Sequence, residues 1–473
     1  MSIRLPPRYV IASIICSLGG LIQGIDTGII GPVTVMKNYT AHFGKQSAEV
    51  HGIVVSSILL SAFVASFFAG RPADVLGRPQ SIACGAAIFG TGAALQAGAT
   101  SIGMFIAARV IEGIGEGLYF GTLTIYICEI SPPSKRGALT TGPQLCVCFG
   151  LLIGYFTCYG TGSIDSSLSW RIPFILLTVL SFFFTLTALL LLPPSPRWLT
   201  NRGREATATW DALGVKHEDR EKIEDEYAGA TVLEQTNSAA LPSQADIPPR
   251  TSGDKVGFSD LFASDVRGRT MLGVFLMSTM QLGGVDAILY YAPLLFEQAG
   301  LESFEASFLA SGISAIVICA VSVPALLLAD KWGRRQSTLL GGLGLTGTML
   351  LMGSLYASNS VHSNRGAARW VVIVCIYLYA AIFASSWAVA IKVYAPEIQP
   401  QRTRAGATSL AHGANWACNF FVAFICPILL ARSSYGAYFL FGSVTALTTL
   451  VGFLFMVETR GKPLDEIEAA FSR

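Results

Sequence analysis

Long apolar blocks alternate with short polar stretches along the whole chain. Twelve blocks run at roughly 9–31, 51–70, 80–99, 103–128, 140–161, 172–192, 270–292, 307–329, 336–357, 370–394, 405–430 and 435–457. Each approaches the ~20 residues that carry an α-helix across a bilayer core. Backbone polar groups in hydrocarbon must be satisfied within their own segment, so each block predicts a spanning helix. The expected fold class is an all-α polytopic membrane protein with twelve transmembrane helices. The first block runs past a signal-peptide core in length, carries Asp26, and shows no small-residue cleavage site after it. It therefore reads as a retained span.

The polar remainder divides the blocks. The 193–269 stretch separates six spans from six, which gives an N-terminal bundle (1–192), a helical and linker region (193–269), a C-terminal bundle (270–457) and a tail (458–473). Charged residues from Arg202 to Tyr227 predict short surface helices, and the Pro- and Ser-rich 235–257 a flexible linker. The halves repeat each other. Asp74-x-x-Gly77-Arg78 after the second span matches Asp330-x-x-Gly333-Arg334 after the eighth. Glu129-x-x-Pro132-x-x-x-Arg136 after the fourth matches Glu397-x-x-Pro400-x-x-x-Arg404 after the tenth. Two motifs recurring at equivalent places indicate two homologous, pseudo-symmetric six-helix bundles with a substrate site near the midplane between them. Acid–arginine pairs at one membrane face would latch the halves when that mouth is shut and break when it opens.

Charge then sets orientation. Twelve spans put both termini on one side, and that side holds 24 Lys and Arg against 6 on the other. The long central loop supplies 10 of the 24, and without it the bias keeps its sign. The positive-inside rule places both termini in the cytoplasm. Only 13% of residues are charged and 52% are hydrophobic, against about 25% charged in soluble proteins. That composition excludes a disordered chain, a disulfide-stapled secreted domain and an ordinary soluble enzyme. A net charge of +2 argues against a nucleic-acid partner. The ten cysteines lie in or at the ends of apolar spans, without CxxC or Cys/His metal spacing, and read as packing residues. No phosphate-cradling loop and no supported Ser/His/Asp set occurs, so neither an ATP-driven pump nor a membrane enzyme is expected, and no cofactor or metal.

The sequence resembles the sugar porter family of the major facilitator superfamily over essentially its whole length. The resemblance rests on GIDTGIIG (24–31), GRPADVLGR (70–78), EISPPSKRG (129–137), PPSPRWL (193–199), LLADKWGRR (327–335), NWACNF (415–420) and ETRGKPL (458–464). It implies the major facilitator fold and transport of a monosaccharide or related polyol by alternating access, with the sugar, protons and the lipid bilayer as partners. The length and linker resemble a fungal member, in the plasma membrane. It also implies gating roles for Asp74, Arg78, Glu129, Arg136, Arg197, Asp330, Arg334, Glu397, Arg404 and Glu458. Departures are informative. Pro194 stands where the family has Glu, and Val457 where it has Pro. The seventh span reads Met280-Gln281-x-x-Gly284-x-Asp286 where two Gln and an Asn are usual. The tenth reads Trp387-Ala388-Val389-x-x-Lys392, with Lys in place of a second Trp. Ala315 replaces an Asn, and Gln23 stands where an aromatic is common.

Ionisable residues at bilayer depth are costly and point to function. This chain has Asp26, Arg109, Glu112, Glu116, Asp286 and Lys392 within its spans. In the resembling symporters the residue matching Asp26 carries the proton and that matching Arg109 is its partner. On the fourth span Glu116 falls on nearly the same face as Arg109, and Glu112 one turn on and about 60° off it. Either Glu competes with Asp26 for Arg109, extends a proton path, or pairs locally. Asp286 and Lys392 depart from the family together, which suggests an ion pair; Lys392 holding an acidic sugar is the alternative. A sugar gives up water at every hydroxyl and needs replacement hydrogen bonds. Candidate contacts at family positions are Gln23, Gln144, Gln281, Tyr290, Trp387, Asn415, Trp416 and Asn419, with Trp387 the leading aromatic and Gln144 and Asn415 the leading amides. A uniporter that kept Asp26 as a structural acid, and a non-transporting sugar sensor, are the competing functions.

Overall fold

The computed structural model describes residues 6–217, 219–220, 258–301, 304–328, 332–361, 366–400, 403–461 and 471. The linker 235–257, Asp330 and most of the 458–473 tail lie outside the described residues. The described elements are helices, and twelve helical stations follow the apolar blocks. These are α1 (Arg8–Val35), α2 (Ala48–Ser66), α3 (Arg78–Ala97), α4 (Ile102–Ile130), α5 (Gly142–Thr161), α6 (Leu168–Leu191), α7 (Arg267–Leu282), α8 (Phe304–Leu328), α9 (Arg334–Ala357), α10 (Ala368–Ser385), α11 (Arg404–Arg432) and α12 (Gly436–Phe455). Ten stations are apolar enough by composition alone to cross a membrane. The other two, α3 and α4, have the length, but α4 carries Arg109, Glu112 and Glu116, all covered by protein. Side chains such as Leu189, Leu190, Phe453 and Leu454 are exposed on the outside, as lipid-facing positions require.

Two helices of the second half are broken. After α7 the chain turns at Gly284 (φ +93°) into Val285–Tyr290 and then Ala292–Gln298. A Cβ at Gly284 would lie 2.6 Å from the Phe441 ring, so both the dihedral and the space demand glycine. After α10, Ser386 interrupts the helix before Trp387–Glu397. Discontinuous spans of this kind bring irregular backbone and polar side chains to the middle of a transporter.

The packing is pseudo-symmetric. In the first half α1 lies along α5, α3 along α4 and α6, and α2 along α4. In the second half α7 lies along α11, α9 along α10 and α12, and α8 along α10. Adding six to each helix number turns the first set into the second. The halves meet through α2 with α11 and α5 with α8, which the same operation exchanges.

Small residues permit the closest seam. Gly20, Gly24 and Gly28 recur every fourth position on α1 and face the carbonyls of Pro143, Val147 and Leu151. An added Cβ would sit 2.2, 2.1 and 2.5 Å from those oxygens. Gly150 and Gly154 of α5 meet α1 reciprocally. This is the small-residue helix pairing that replaces hydrophobic burial in lipid. We expect Gly20→Val to destabilise the protein by about 1–3 kcal/mol, read as a lower melting temperature in detergent. Gly103→Ala, with nothing within 4 Å of its added Cβ, is expected to leave it unchanged.

Candidate functional site

The glycine ridge that brings α1 against α5 also fixes Asp26, midway between Gly24 and Gly28 in the chain, on a buried face of α1. Arg109 on α4 meets it: Nη1 donates to Asp26 Oδ1 at 2.5 Å. The same Nη1 lies 3.4 Å from Glu112 Oε2, and Nη2 donates to the Val55 carbonyl of α2 at 3.3 Å. Gln96 of α3 donates through Nε2 to Glu112 Oε2. Glu116, two turns beyond Arg109, lies beside Gln23 of α1. Arg109 and Glu112 are 0% exposed, Glu116 3% and Asp26 5%. One guanidinium thus sits among three carboxyl groups. Sequence reasoning brought together Asp26, Arg109, Glu112 and Glu116; Gln23, expected as a sugar contact, joins them, and Gln96 was missed, an amide in a mostly apolar span being the available signal.

The second half supplies the facing wall. Asp286 and Tyr290 are buried on the helix that follows the Gly284 break. Lys392 is partly buried on Trp387–Glu397. The expected Asp286–Lys392 ion pair does not form: the two sense each other's charge, but Lys392 Nζ donates across the bundle interface to Gln144 Oε1 at 3.3 Å. Lys392 springs from the helix after the Ser386 break, and that break aims it at α5. Asp286 Oδ2 and Asn419 Oδ1 are buried without a partner. Asn415 Nδ2 donates to the Met277 carbonyl of α7 at 2.9 Å, and Gln281 is buried on α7 itself.

Trp387 is not placed as the sequence suggested. It is fully buried, its Nε1 donates to the Thr338 carbonyl at 2.9 Å, and α9 packs on it at Gly341. With its polar edge tied and its faces packed, it holds the α10 break against α9. Trp416 of α11 is the partly buried aromatic of this group.

The ends of the halves also touch. Opposite the termini, Tyr155 Oη donates to the Leu289 carbonyl, a Cβ at Gly31 would sit 1.9 Å from the Tyr290 carbonyl, and the His51 and Tyr291 rings lie 5.4 Å apart.

At the face carrying the termini, the repeated motifs build two matching networks. Arg78 pairs with Asp74 (2.8 Å) and grips both oxygens of Glu129 (3.2 Å each), and Ser195 Oγ donates to Glu129 at 2.5 Å. In the second half Arg334 pairs with Glu397 at 3.1 Å and Thr459 Oγ1 donates to Glu397 at 2.6 Å. Glu458 accepts from the Arg334 and Arg335 amides at 2.8 and 3.2 Å. Arg404 donates to the Gln399 carbonyl at 3.2 Å, and Arg136 and Arg197 sit in the short helices Pro133–Thr140 and Pro196–Asn201. Asp330 lies outside the described residues. These contacts lie inside the bundles rather than across the mouth between them. Each network joins helix ends within one bundle, because the arginine at the start of α3 or α9 reaches the acid at the end of α4 or of Trp387–Glu397.

Comparison with known proteins agrees with this architecture. A family model described as sugar (and other) transporter matches residues 12–471. The high-affinity glucose transporter of Kluyveromyces lactis is 29% identical, with 97% of this chain and 84% of that one covered. The rice sugar transport protein MST7 is also 29% identical, over 97% of this chain and 90% of its own. The xylose transporter XylE of E. coli in an inward-open conformation superposes with a TM-score of 0.76 at 25% identity, covering 97% of this chain and 98% of that one. A crystal structure of a D-xylose-proton symporter gives 0.73 at 26%, covering 96% and 99%. The chain belongs to the sugar (and other) transporter family, and is an integral-membrane sugar transporter of the major facilitator superfamily, not an enzyme.

Proposed function

We propose that this protein is a proton-coupled symporter of a monosaccharide or related polyol, working by alternating access, in the plasma membrane with both termini in the cytoplasm. The observation that carries the reading is the buried Asp26–Arg109 pair at 2.5 Å between α1 and α4. A carboxylate kept at this depth needs its guanidinium, and loses that need on taking a proton. Protonation therefore frees α1 from α4, and a helix freed at the bundle interface can rock with the substrate. A similar solved structure is that of a D-xylose-proton symporter, which supports the coupling. The names of the glucose and sugar transport relatives support the substrate class. The basic bias of the terminal side supports the orientation.

The substrate lies between the bundles, against Gln23 and Gln144 on one side and Gln281, Asp286, Tyr290, Lys392, Asn415, Trp416 and Asn419 on the other. The unpartnered Asp286 Oδ2 and Asn419 Oδ1 accept sugar hydroxyls, and Lys392 exchanges its Gln144 bond for a sugar oxygen. Trp387 acts behind this wall by holding the Ser386 break. The two networks at the terminal face make each bundle rigid, so that closing and opening happen between bundles.

Expressed in cells lacking their own sugar carriers, the protein is expected to accumulate labelled sugar at acid pH and to lose accumulation with a protonophore. Asp26→Asn is expected to abolish accumulation while keeping exchange of sugar for sugar. Uptake that only equilibrates, indifferent to pH, would make it a uniporter. No uptake by protein at the cell surface would favour a sensor. Uptake confined to uronic acids would make it a sugar-acid carrier.

Lys392→Met leaves Asp286 as an uncompensated buried charge and is expected to lower uptake about tenfold or more. Adding Asp286→Asn is expected to recover part of it. A double variant as poor as the single would contradict charge balance between the two positions.

A further inference from the structure

Two buried atoms beside Asp26 have no partner: Arg109 Nε and Glu112 Oε1. They are an unmet donor and an unmet acceptor one helical turn apart on α4. Glu112 already accepts from Arg109 Nη1 at 3.4 Å and from Gln96 through the same oxygen, Oε2, leaving Oε1 open. Its carboxyl sits on the α3 side of the guanidinium and Asp26 on the α1 side. Glu112 itself is pinned, since a Cβ added at Gly92 of α3 would come within 2.6–2.8 Å of its backbone and Cβ. The mobile partner is the long, single-residue arm of Arg109.

We propose that Glu112 is the second counter-ion of Arg109 and takes the guanidinium over when Asp26 binds its proton. The inference rests on the proton-coupled reading above. Before protonation, Asp26 and Glu112 share one guanidinium and the trio carries a net charge of −1. A proton from the cavity binds the Asp26 carboxylate, its ion pair with Arg109 breaks, and Arg109 rests on Glu112 with the trio neutral. Release reverses both movements. Glu112 remains a carboxylate throughout, and no bond other than the O–H on Asp26 is made or broken. With glutamine at 112 the same cycle would run from 0 to +1, stranding a guanidinium away from any carboxylate in a low-dielectric site.

The other groups facing the trio are few. Glu116 and Tyr119 come from α4 itself, Tyr290 from Val285–Tyr290, and Tyr39 from the helix after α1. From α2 the Val55 carbonyl reaches Arg109; His51 stands one turn before it with Nε2 on Thr34 Oγ1 at 3.0 Å, and Glu49 lies in the helix's first turn. From α3 comes Gln96, with Arg78 at the opposite end.

The test is the pH profile of initial uptake of labelled D-glucose and D-xylose by surface-expressed full-length protein. Glu112→Gln is expected to move the acid midpoint down by about 1–2 pH units, the scale of one charge-assisted hydrogen bond. Glu112→Asp is expected to restore most of the shift. Gln96→Met, which removes the donor that orients Glu112, is expected to move it the same way by less, and carries the test if Glu112→Gln fails to reach the membrane. A wild-type profile that responds to pH, with midpoints unmoved or raised in these variants, would overturn the role of Glu112 and leave proton coupling standing. A wild-type profile flat in pH would overturn both.

Discussion

A guanidinium with no exposed surface, set between helices in a bilayer, has to be met by a carboxylate. Arg109 imposes that requirement on this protein, and much of the first bundle is arranged to satisfy it. The Gly20–Gly24–Gly28 ridge lets α1 approach α5 at backbone contact, which fixes the face of α1 that bears Asp26. The seam of α3 and α4, tight at Gly92 and Gly115, holds Gln96 and Glu112 on the other side of the arginine. Removing water from these groups costs several kcal/mol per ion, so an added proton changes which contacts are favourable. That sensitivity is what a coupled carrier needs.

The distribution of polar contacts separates what is rigid from what moves. Within each bundle, arginine, glutamate and a hydroxyl tie three helix ends together: Arg78, Glu129 and Ser195 in one, Arg334, Glu397 and Thr459 in the other. Between bundles the described contacts are of another kind. One ammonium meets one neutral amide, a tyrosine hydroxyl meets a backbone carbonyl, and glycines lie against carbonyls. Such contacts form and separate at small cost, whereas the charged networks resist distortion. The two halves are thus built to move as units about an interface lined with amides and two opposite charges.

The fold was almost wholly legible in the sequence because the bilayer restricts the choices: a block of about 20 apolar residues has one stable backbone solution there. The repeated Asp-x-x-Gly-Arg and Glu-x-x-Pro motifs announced the pseudo-symmetry that the helix pairings display. The ionic cluster was legible too, since charges inside apolar spans stand out. What one dimension hides is direction. The spacing of Arg109, Glu112 and Glu116 gave a polar strip, but only packing shows Glu112 turned toward Gln96. Trp387 fell on a cavity position by motif, yet the Ser386 break turns it into α9. Asp286 and Lys392 looked like partners because both are charged, but Lys392 reaches the other bundle. The repeated motifs gave the arginines and acids of the terminal face, but only packing shows that Arg78 and Arg334 each reach an acid of their own half.

Coupling between sugar and proton is the central claim, and it is tested most directly in proteoliposomes holding the purified protein and a trapped pH-sensitive dye. Sugar added outside, with no imposed pH gradient, is predicted to acidify the lumen in step with sugar entry. Sugar entry of the same size with no change in luminal pH would contradict the account.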